Sequence, residues 1–517
     1  MLGEEGFLHL LAARRRDEPD RPFARSGGTA ITVGALGQMA DSFAAALRSR
    51  GISRGERVAV MLRNSPAALA TIFGLARAGV AWVPVNVQYR GPGLKYILEH
   101  CEPRMVIAEA DLVATIRDSA ADLRGAPLIT HGVANAEVSL ERLLERDASF
   151  EEPLPEAADC FAICYTSGTT GNPKGVILSH AMLRFAGEAA ALVSHARDGD
   201  VFLMWEPLYH IGGMQIIVLP LIRNMTLALI ERFSAGRFLQ QTQEQGATHI
   251  HFLGGILQIL MKQPLSPLDR SHGARIAWGG GCPKDVWRPF EERFGVRIHE
   301  GYGMTEASSF TTFNDSGTVG AVGRPMPWFS VELRDDHDRL VPPGGRGQIV
   351  VRAHAKNALF SGYFRNPEAT AAALRGGALY TGDLGQFDRQ GNLIFLGRMT
   401  DSVRCKGENV SAWEVERVAV AHPAVEDCAM IGVAAEIGEQ DIKLFVKPNP
   451  GALIDPRELS AWLGQRLAPF QNPRYIAIIQ EFERTPSQRI MKHRLSRDRA
   501  GCWDRLTDGA RDKRASS

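Results

Sequence analysis

The first half of the chain alternates short apolar runs with longer stretches that have helical spacing. Val58–Leu62, Ala81–Val85 and Met105–Ala108 are apolar runs with the length of buried strands. Pro66–Ala78 has apolar residues at helical spacing and stops at Gly79. Because strands alternate with helices of this length, the pattern predicts parallel α/β layers.

The pattern changes in the second half of the chain. From Ser330 onward, short strands such as Gln348–Arg352 are separated by Pro-Gly and Gly turns, which indicates a β-rich subdomain. After Arg398 a further unit mixes short strands and helices. The sequence therefore predicts an α/β fold with a large multi-layer N-terminal domain at 1–397, a hinge at 398–401 and a small, mobile α+β C-terminal cap domain at 402–517.

Composition and charge exclude several classes of protein. The chain has 517 residues, with 59 Lys and Arg against 58 Asp and Glu, so its formal net charge is +1. A chain this close to neutral has no global attraction for nucleic acid or for an anionic membrane. The 52 glycines are about a tenth of the chain, above the roughly 7% average, and glycine is expected where backbone bends sharply or approaches a ligand.

The cysteines and the N-terminus indicate a cytoplasmic protein. The seven cysteines are odd in number and scattered, which is not a disulfide framework, and the pair Cys160 and Cys164 lacks the partners of a zinc site. Arg14–Arg16 follow the first apolar stretch, the reverse of a secretory signal. Pro220 and Arg223 interrupt the most apolar stretch, Met214–Ile230, so it is expected to be a buried core element and not a membrane span.

A loop rich in glycine and hydroxyl residues follows the apolar strand that ends at Tyr165, and a helical stretch comes after it. Glycines free backbone N–H groups, the hydroxyls add donors, and a lysine adds positive charge, which together suit a polyphosphate. It is not a Walker A loop, because Pro173 precedes the lysine. The alternative interpretation is an ordinary surface loop rich in Ser, Thr and Gly. The candidate nucleotide-binding residues are Thr166, Ser167, Gly168, Thr169, Thr170, Gly171 and Lys174.

This loop resembles the signature loop of the adenylate-forming superfamily, in the acyl-CoA synthetase branch, and further motifs follow in that family's order. Gly301–Glu306 resembles the second motif, which implies that Tyr302 stacks on adenine, Thr305 binds the α-phosphate and Glu306 holds Mg²⁺. Upstream, Gly281, Cys282 and Pro283 resemble the adenine-flanking segment, with cysteine in place of alanine. We interpret Cys282 as a small packed residue and not as a nucleophile.

Three further segments continue the resemblance. The resemblance implies that Asp383 accepts the ribose hydroxyls and that Arg398 reaches the ribose or a phosphate. Asp401 falls at the hinge position, although a loop-capping aspartate is the alternative. The segment with Lys406 and Gly407 resembles the one used in the thioester step, with coenzyme A (CoA) as acceptor.

His210 falls where the family's acyl-CoA ligases place an aromatic gate to the acyl pocket. A structural histidine is the alternative. Amino-acid-adenylating relatives carry an aspartate in this region that pairs with the substrate ammonium. This sequence shows none, which disfavours an amino-acid substrate.

One segment departs from the family. Where the family has a catalytic lysine, alignment on Thr485-Pro486 places Arg489, and Lys492 follows three residues later. Arg489 keeps the charge, but a planar guanidinium is not a point ammonium. Either residue, or neither, could serve the adenylation step.

The sequence as a whole predicts a cytoplasmic acid–CoA ligase that uses ATP, Mg²⁺ and CoA and has a small carboxylic acid as its substrate. Two alternatives remain: an adenylate-forming enzyme that delivers the acyl group to a carrier protein, and a nucleotide-binding homologue with weak ligase activity. Leu183–Gly187, Arg293–Arg297 and Arg334–His337 resemble the crotonobetaine/carnitine–CoA ligase branch. Medium-chain and aryl acids stay open, and the sequence does not decide between a monomer and a homodimer.

Overall fold

A computed structural model describes the chain outside residues 1–2, 120–122, 133–138, 146, 167–172, 254, 400–401, 406–407, 436–439, 468, 485–489 and 508–517. The chain divides into two compact units. The described residues of the N-terminal unit lie within 1–167, 172–331 and 351–380, and those of the C-terminal unit include 332–350 and 381–517.

Several helices begin at a polar cap residue whose side chain accepts a backbone hydrogen bond. Ser65 accepts a hydrogen bond from the Ala68 N–H, and Ser179 accepts one from the Met182 N–H, both at 3.1 Å. The helices within the described residues are α1 (Phe7–Asp17), α2 (Val33–Ser49), α3 (Pro66–Arg77), α4 (Gly91–Cys101), α5 (Val113–Ser119), α6 (Leu140–Leu144), α7 (His180–Val193), α8 (Ile211–Ile216), α9 (Leu219–Ile222), α10 (Ala235–Glu244), α11 (Ile256–Met261), α12 (Lys284–Phe294), α13 (Pro367–Ala373), α14 (Ala412–Val420) and α15 (Pro456–Gly464).

The strands fall on the apolar runs, and each named strand lies within the described residues. Those of the first 325 residues are β1 (Pro22–Ser26), β2 (Thr29–Thr32), β3 (Arg57–Met61), β4 (Ala81–Pro84), β5 (Met105–Glu109), β6 (Leu128–His131), β7 (Cys160–Thr166), β8 (Lys174–Ser179), β9 (Val201–Met204), β10 (Thr226–Leu229), β11 (His249–Leu253), β12 (Ile276–Gly280), β13 (Arg297–Met304), β14 (Ser309–Asn314) and β15 (Arg324–Pro325). The later ones are β16 (Phe329–Arg334), β17 (Arg346–Ala353), β18 (Leu374–Arg375), β19 (Ala378–Phe387), β20 (Leu393–Arg398), β21 (Ser402–Cys405), β22 (Glu408–Ser411), β23 (Val425–Ala434), β24 (Gln440–Pro448), β25 (Tyr475–Ile478) and β26 (Trp503–Asp504).

Two largely parallel sheets build the N-terminal unit. One has the order β6-β5-β3-β4-β7-β8, and the other has the order β15-β14-β13-β12-β11-β9-β10-β1-β2. Their inner strands pair in parallel, whereas β8, β14, β15 and β2 join as antiparallel strands. Inner strands such as β4 are buried along their whole length, as parallel strands covered on both faces must be.

Strand β8 corrects the sequence-based prediction for the glycine-rich loop. We expected a helix after the loop, but the loop leads into β8, which pairs antiparallel with β7, and α7 begins only afterwards. The physical reason is the run Val176-Ile177-Leu178, whose branched apolar side chains suit a sheet. The polyphosphate hypothesis for this loop therefore depends on a β-hairpin and not on a helix N-terminus.

The later strands form smaller sheets. One has the order β16-β17-β19-β18 with β20 paired to β19, β21 and β22 form a hairpin, and β23-β24-β25-β26 form the last sheet. Apolar residues of α14, α15 and the last sheet pack into a core that includes Val415, Leu444 and Leu459. The predicted α/β class with a β-rich part and a small α+β part is confirmed. The predicted boundaries near 398–401 stay a prediction.

The apolar stretch Met214–Ile230 is part of the core, as predicted, but it divides into α8, α9 and β10. Within the described residues, no helix combines the length and the apolar character needed to cross a membrane.

Candidate functional site

Several of the predicted site residues follow neighbouring parallel strands of the larger sheet. Strands β11, β12 and β13 run in parallel, and their carboxyl ends lie at the same edge. The Gly281–Pro283 segment follows β12, and Tyr302 and Thr305 lie at the end of β13 and just beyond it. Ligands of open α/β sheets bind outside the carboxyl ends of the strands, so this edge is the expected place for a small-molecule site.

A buried carboxylate that the sequence analysis missed joins these two segments. Oε1 of Glu300, on β13, accepts hydrogen bonds from the N–H groups of Gly281 and Cys282 at 3.0 and 2.9 Å. Within the described residues, Oε2 of Glu300 has no hydrogen-bond partner. Burial raises the pKa of Glu300 to about 8, although the two N–H donors lower it. Glu300 therefore fixes the loop after β12 to the strand that carries Tyr302.

Replacing Glu300 with Gln is expected to remove a pH dependence of stability. The pKa of Glu300 in the folded protein lies above its ordinary value of 4.5. The stabilisation that Glu300 contributes to the free energy of unfolding is therefore complete below pH 4.5 and is lost as the pH rises toward 8. The unfolding free energy of the wild type should fall relative to Glu300→Gln by up to about 1.4 kcal/mol per pH unit in that window. Urea unfolding at a series of pH values measures this difference. The exposed Glu292→Gln is the control, and a pH-independent difference for Glu300→Gln would contradict the assignment.

The cysteine in the same loop is packed, as the sequence analysis interpreted it. Cys282 is buried, and burial is the first cause that raises the pKa of its thiol far above the ordinary value. A thiol in that state is a poor nucleophile.

Tyr302, Thr305 and Glu306 are all buried around the turn after β13. The hairpin of β13 and β14 requires glycine at position 303, because a Cβ there would lie 1.8 Å from the Ser309 carbonyl oxygen. Oε1 of Glu306 accepts a hydrogen bond of 2.8 Å from the hydroxyl of Tyr363. The turn thus presents a carboxylate whose orientation a neighbouring side chain controls.

The donor set at this turn fits a magnesium ion that is bound mainly through phosphate. Within the described residues there is no group of three or more His, Cys, Asp or Glu side chains that could hold a metal ion. Mg²⁺ is usually bound by one or two carboxylates together with substrate phosphates and water, and Glu306 supplies such a hard oxygen ligand.

The two ends of the glycine-rich loop meet on adjacent strands. Thr166 ends β7, Lys174 begins β8, and the two residues are partners in the ladder. The Thr166 hydroxyl donates to the Lys174 carbonyl oxygen at 3.4 Å, and the Lys174 ammonium lies 5.2 Å from the ring centre of Tyr363. Ser167, Gly168, Thr169, Thr170 and Gly171 lie outside the described residues.

His210 immediately precedes α8 and is half-buried, with its ring edge-to-face against Tyr209 at 4.8 Å. Nearby in the chain, the buried carboxylate of Glu206 lies 2.7 Å from Nδ1 of His251 on β11. Trp278 packs on His251, with ring centres 4.2 Å apart. Sequence reasoning missed the Glu206–His251 pair, and the available signal was two polar residues within otherwise apolar runs.

In the C-terminal unit, the two predicted ribose-site residues lie opposite each other. Asp383 on β19 and Arg398 on β20 are partners in an antiparallel ladder, and their side chains form an ion pair with Nε and Oδ1 2.8 Å apart. The Asp383 side chain is buried, whereas that of Arg398 is 41% exposed. A carboxylate held at one oxygen and buried is suited to accept hydroxyl hydrogen bonds.

The structure places Lys492 in a contact within the C-terminal unit. Its ammonium lies 2.9 Å from Oε1 of Glu416 on α14, and the same oxygen accepts a hydrogen bond from the Met430 N–H. Arg489, Asp401, Lys406 and Gly407 lie outside the described residues.

Comparison with known proteins matches both parts of the chain. The family model described as AMP-binding enzyme matches residues 11–364, and the model described as AMP-binding enzyme C-terminal domain matches residues 414–489. A crotonobetaine/carnitine–CoA ligase of Salmonella heidelberg is 32% identical over 461 residues, which cover 86% of this chain and 89% of the relative.

Solved structures agree with these matches. The structure of ATP-bound MatB from Rhodopseudomonas palustris has a TM-score of 0.85 at 28% identity, and the alignment covers 95% of this chain and 98% of that one. A benzoate CoA ligase from Burkholderia xenovorans has a TM-score of 0.83 at 25% identity and covers 94% and 99% of the two chains.

Proposed function

The chain belongs to the AMP-binding enzyme family and is an AMP-forming acid–CoA ligase, and we propose that its reaction uses the residues described above. The predicted family resemblance is thereby confirmed. In the first step the carboxylate attacks the α-phosphorus of ATP, which gives an acyl-adenylate and pyrophosphate. In the second step the CoA thiol attacks the acyl carbon, the thiol loses its proton, and AMP leaves.

The observation that carries the proposal is the arrangement of buried Tyr302, Thr305 and Glu306 at the carboxyl end of β13, beside the loop that Glu300 fixes. It supplies a ring for a base, a hydroxyl for a phosphate and a carboxylate for a cation. Catalysis of this reaction depends on positioning and on charge stabilisation, both of which need groups held in place before substrate arrives.

Each part of the substrates has its own binding residues in this proposal. Thr166, Lys174 and the loop that they bracket hold the polyphosphate, and Thr305 holds the α-phosphate. Glu306 would hold Mg²⁺, which would neutralise phosphate charge when bound. Asp383 accepts the ribose hydroxyls, Arg398 holds that carboxylate, and Arg489 approaches the reacting carboxylate and α-phosphate. Asp401 is the hinge at which the C-terminal domain rotates to bring Lys406 and Gly407 in for the thioester step.

Acid-dependent exchange of labelled pyrophosphate into ATP tests the first step. We expect exchange with at least one acid of a broad panel of carboxylates, and its absence across the whole panel would overturn the proposal. Release of AMP with CoA, compared with an acyl-carrier protein as acceptor, tests the second step.

We place the substrate in the class of short acids that carry a quaternary ammonium, since the 32% identical relative is a crotonobetaine/carnitine–CoA ligase. Quaternary ammonium groups bind to aromatic faces, and Trp205 and Trp278 both contact His251, which lies in the middle of β11. Carnitine and crotonobetaine should therefore give the highest kcat/KM on a panel that includes medium-chain and aryl acids.

Replacing Asp383 with Asn is expected to abolish discrimination at the ribose. An ionised acceptor contributes roughly 1.5–3 kcal/mol to a hydrogen bond, so kcat/KM for ATP should fall by about tenfold to a hundredfold. The same variant should use 2′-deoxy-ATP almost as well as ATP, whereas the wild type should prefer ATP. Kinetics with both nucleotides measure the ratio. A variant that keeps the wild-type preference would contradict the role of Asp383, and Asp388→Asn at a half-buried carboxylate on the following turn is the control.

A further inference from the structure

The segment Ala358–Phe364 pairs with the edge of β8 that faces away from β7. The Ile177 N–H donates to the Gly362 carbonyl at 3.1 Å, and the Phe364 N–H donates to the Gly175 carbonyl at 2.7 Å. Tyr363 lies opposite Val176 in this antiparallel bridge. The backbone therefore fixes Tyr363 beside the strand that begins with Lys174.

The same segment holds the turn that carries Glu306. The Phe360 N–H donates to the backbone carbonyl of Glu306 at 2.9 Å, and the Ser308 hydroxyl donates to the carbonyl of Ala358 at 2.6 Å. The Tyr363 hydroxyl then donates to Oε1 of Glu306 at 2.8 Å. The carboxylate is thus fixed both through its own backbone and through its side chain.

The ring of Tyr363 is held from two sides. Phe360, which is buried, packs edge-to-face against it with ring centres 4.9 Å apart. The Lys174 ammonium lies 5.2 Å from the ring centre, within the range in which a cation is attracted by the face of an aromatic ring. A single side chain therefore contacts both the lysine of the glycine-rich loop and the carboxylate of the turn after β13.

We propose that Tyr363 is a positioning residue for metal-bound ATP, which rests on the proposed function of the site. Its hydroxyl holds one oxygen of Glu306, which directs the other oxygen toward a magnesium ion. Its ring also contacts the Lys174 ammonium. Tyr363 therefore keeps a fixed distance between Lys174 and the Glu306 carboxylate. Partners that orient a metal ligand in this way commonly change metal affinity by about tenfold to a hundredfold when they are lost.

The hydroxyl and the ring can be tested separately. Tyr363→Phe keeps the ring that faces Lys174 and removes the donor to Glu306. Its affinity for Mn²⁺ in the presence of ATP, measured by electron paramagnetic resonance, should fall by about tenfold or more. Because the ring remains, the KM for ATP at saturating Mg²⁺ should stay close to that of the wild type. Tyr363→Leu removes both contacts, so its KM for ATP should rise even at saturating Mg²⁺.

Tyr475→Phe is the matched control, because Tyr475 is buried on β25 and also has a cation, Arg474, over its ring at 4.9 Å. It should leave Mn²⁺ affinity unchanged. A thermal unfolding midpoint without ligand that is the same for Tyr363→Phe and the wild type, together with weaker Mn²⁺ binding, supports the inference. Equal Mn²⁺ affinity of Tyr363→Phe and the wild type overturns it. A wild type that binds Mn²⁺ with ATP but activates no acid contradicts the proposed function instead, and the comparison of metal affinities still decides the role of Tyr363.

Discussion

Replacing Glu306 with Gln is expected to lower kcat/KM for acyl-adenylate formation by about a thousandfold. A bound metal ion contributes several kcal/mol of charge stabilisation in a phosphoryl reaction, and about 4 kcal/mol corresponds to three powers of ten in rate. The amide keeps an oxygen that can accept the Tyr363 hydroxyl, so the fold of the turn should survive. What the amide loses is the negative charge that a hard cation needs.

Pyrophosphate exchange over a range of Mg²⁺ concentrations measures this loss. Higher Mg²⁺ should recover part of the activity of Glu306→Gln, because the remaining ligands of the metal come from phosphate. The control is Glu292→Gln on α12, an exposed carboxylate in the same unit, which should exchange at the wild-type rate. A Glu306 variant that stays within about threefold of the wild type at low Mg²⁺ would remove this carboxylate from the proposed metal site.

The sequence predicted the elements of the fold because burial on both faces of a parallel sheet leaves a clear pattern. The runs that became β3, β4 and β5 are continuously apolar, and Pro66 follows the capping Ser65 at the start of α3. Strand β8 was missed because it directly follows the loop and is only six residues long. A short apolar run of that length suits a strand or the start of a helix equally well, and only its pairing with β7 decides.

The candidate site was predictable to the extent that it lies in local motifs. Tyr302, Thr305 and Glu306 are close in sequence, so their common position follows from one strand and one turn. The partners that orient these residues come from elsewhere in the chain. Tyr363 reaches Glu306 across 57 residues, and nothing in the spacing of its own segment indicates that contact.

The ion pair between Asp383 and Arg398 was predictable in part. Both residues were identified singly, and the turn at Gly391 makes β19 and β20 a hairpin in which they become partners. A register count across that turn would miss the pairing by one residue, because a bulge between Leu384 and Gly385 shifts the ladder. The Glu206–His251 pair could not be found in this way, because β9 and β11 are parallel neighbours and no short turn sets their register.

Replacing Arg489 with Ala is expected to lower pyrophosphate exchange by about a hundredfold to a thousandfold, the usual effect of removing one group that stabilises charge in the transition state. Arg489→Lys should recover at least tenfold of that loss, because the ammonium restores the charge without the planar fork. Conversion of a synthetic acyl-adenylate to the CoA thioester should stay within a few-fold of the wild type, since we assign that step to the Lys406 segment.

Lys492→Ala should behave differently, because the ammonium of Lys492 already lies 2.9 Å from Glu416. Its removal leaves that partly buried carboxylate without this cation, so the main effect should be a lower unfolding midpoint of the C-terminal unit. Pyrophosphate exchange at a temperature where the protein is folded should change by less than about fivefold, well below one residue's usual contribution to transition-state charge stabilisation. Exchange and thermal unfolding measured on both variants separate a catalytic from a structural cation. The opposite result, with Lys492→Ala inactive and stable and Arg489→Ala active, would assign the adenylation cation to Lys492.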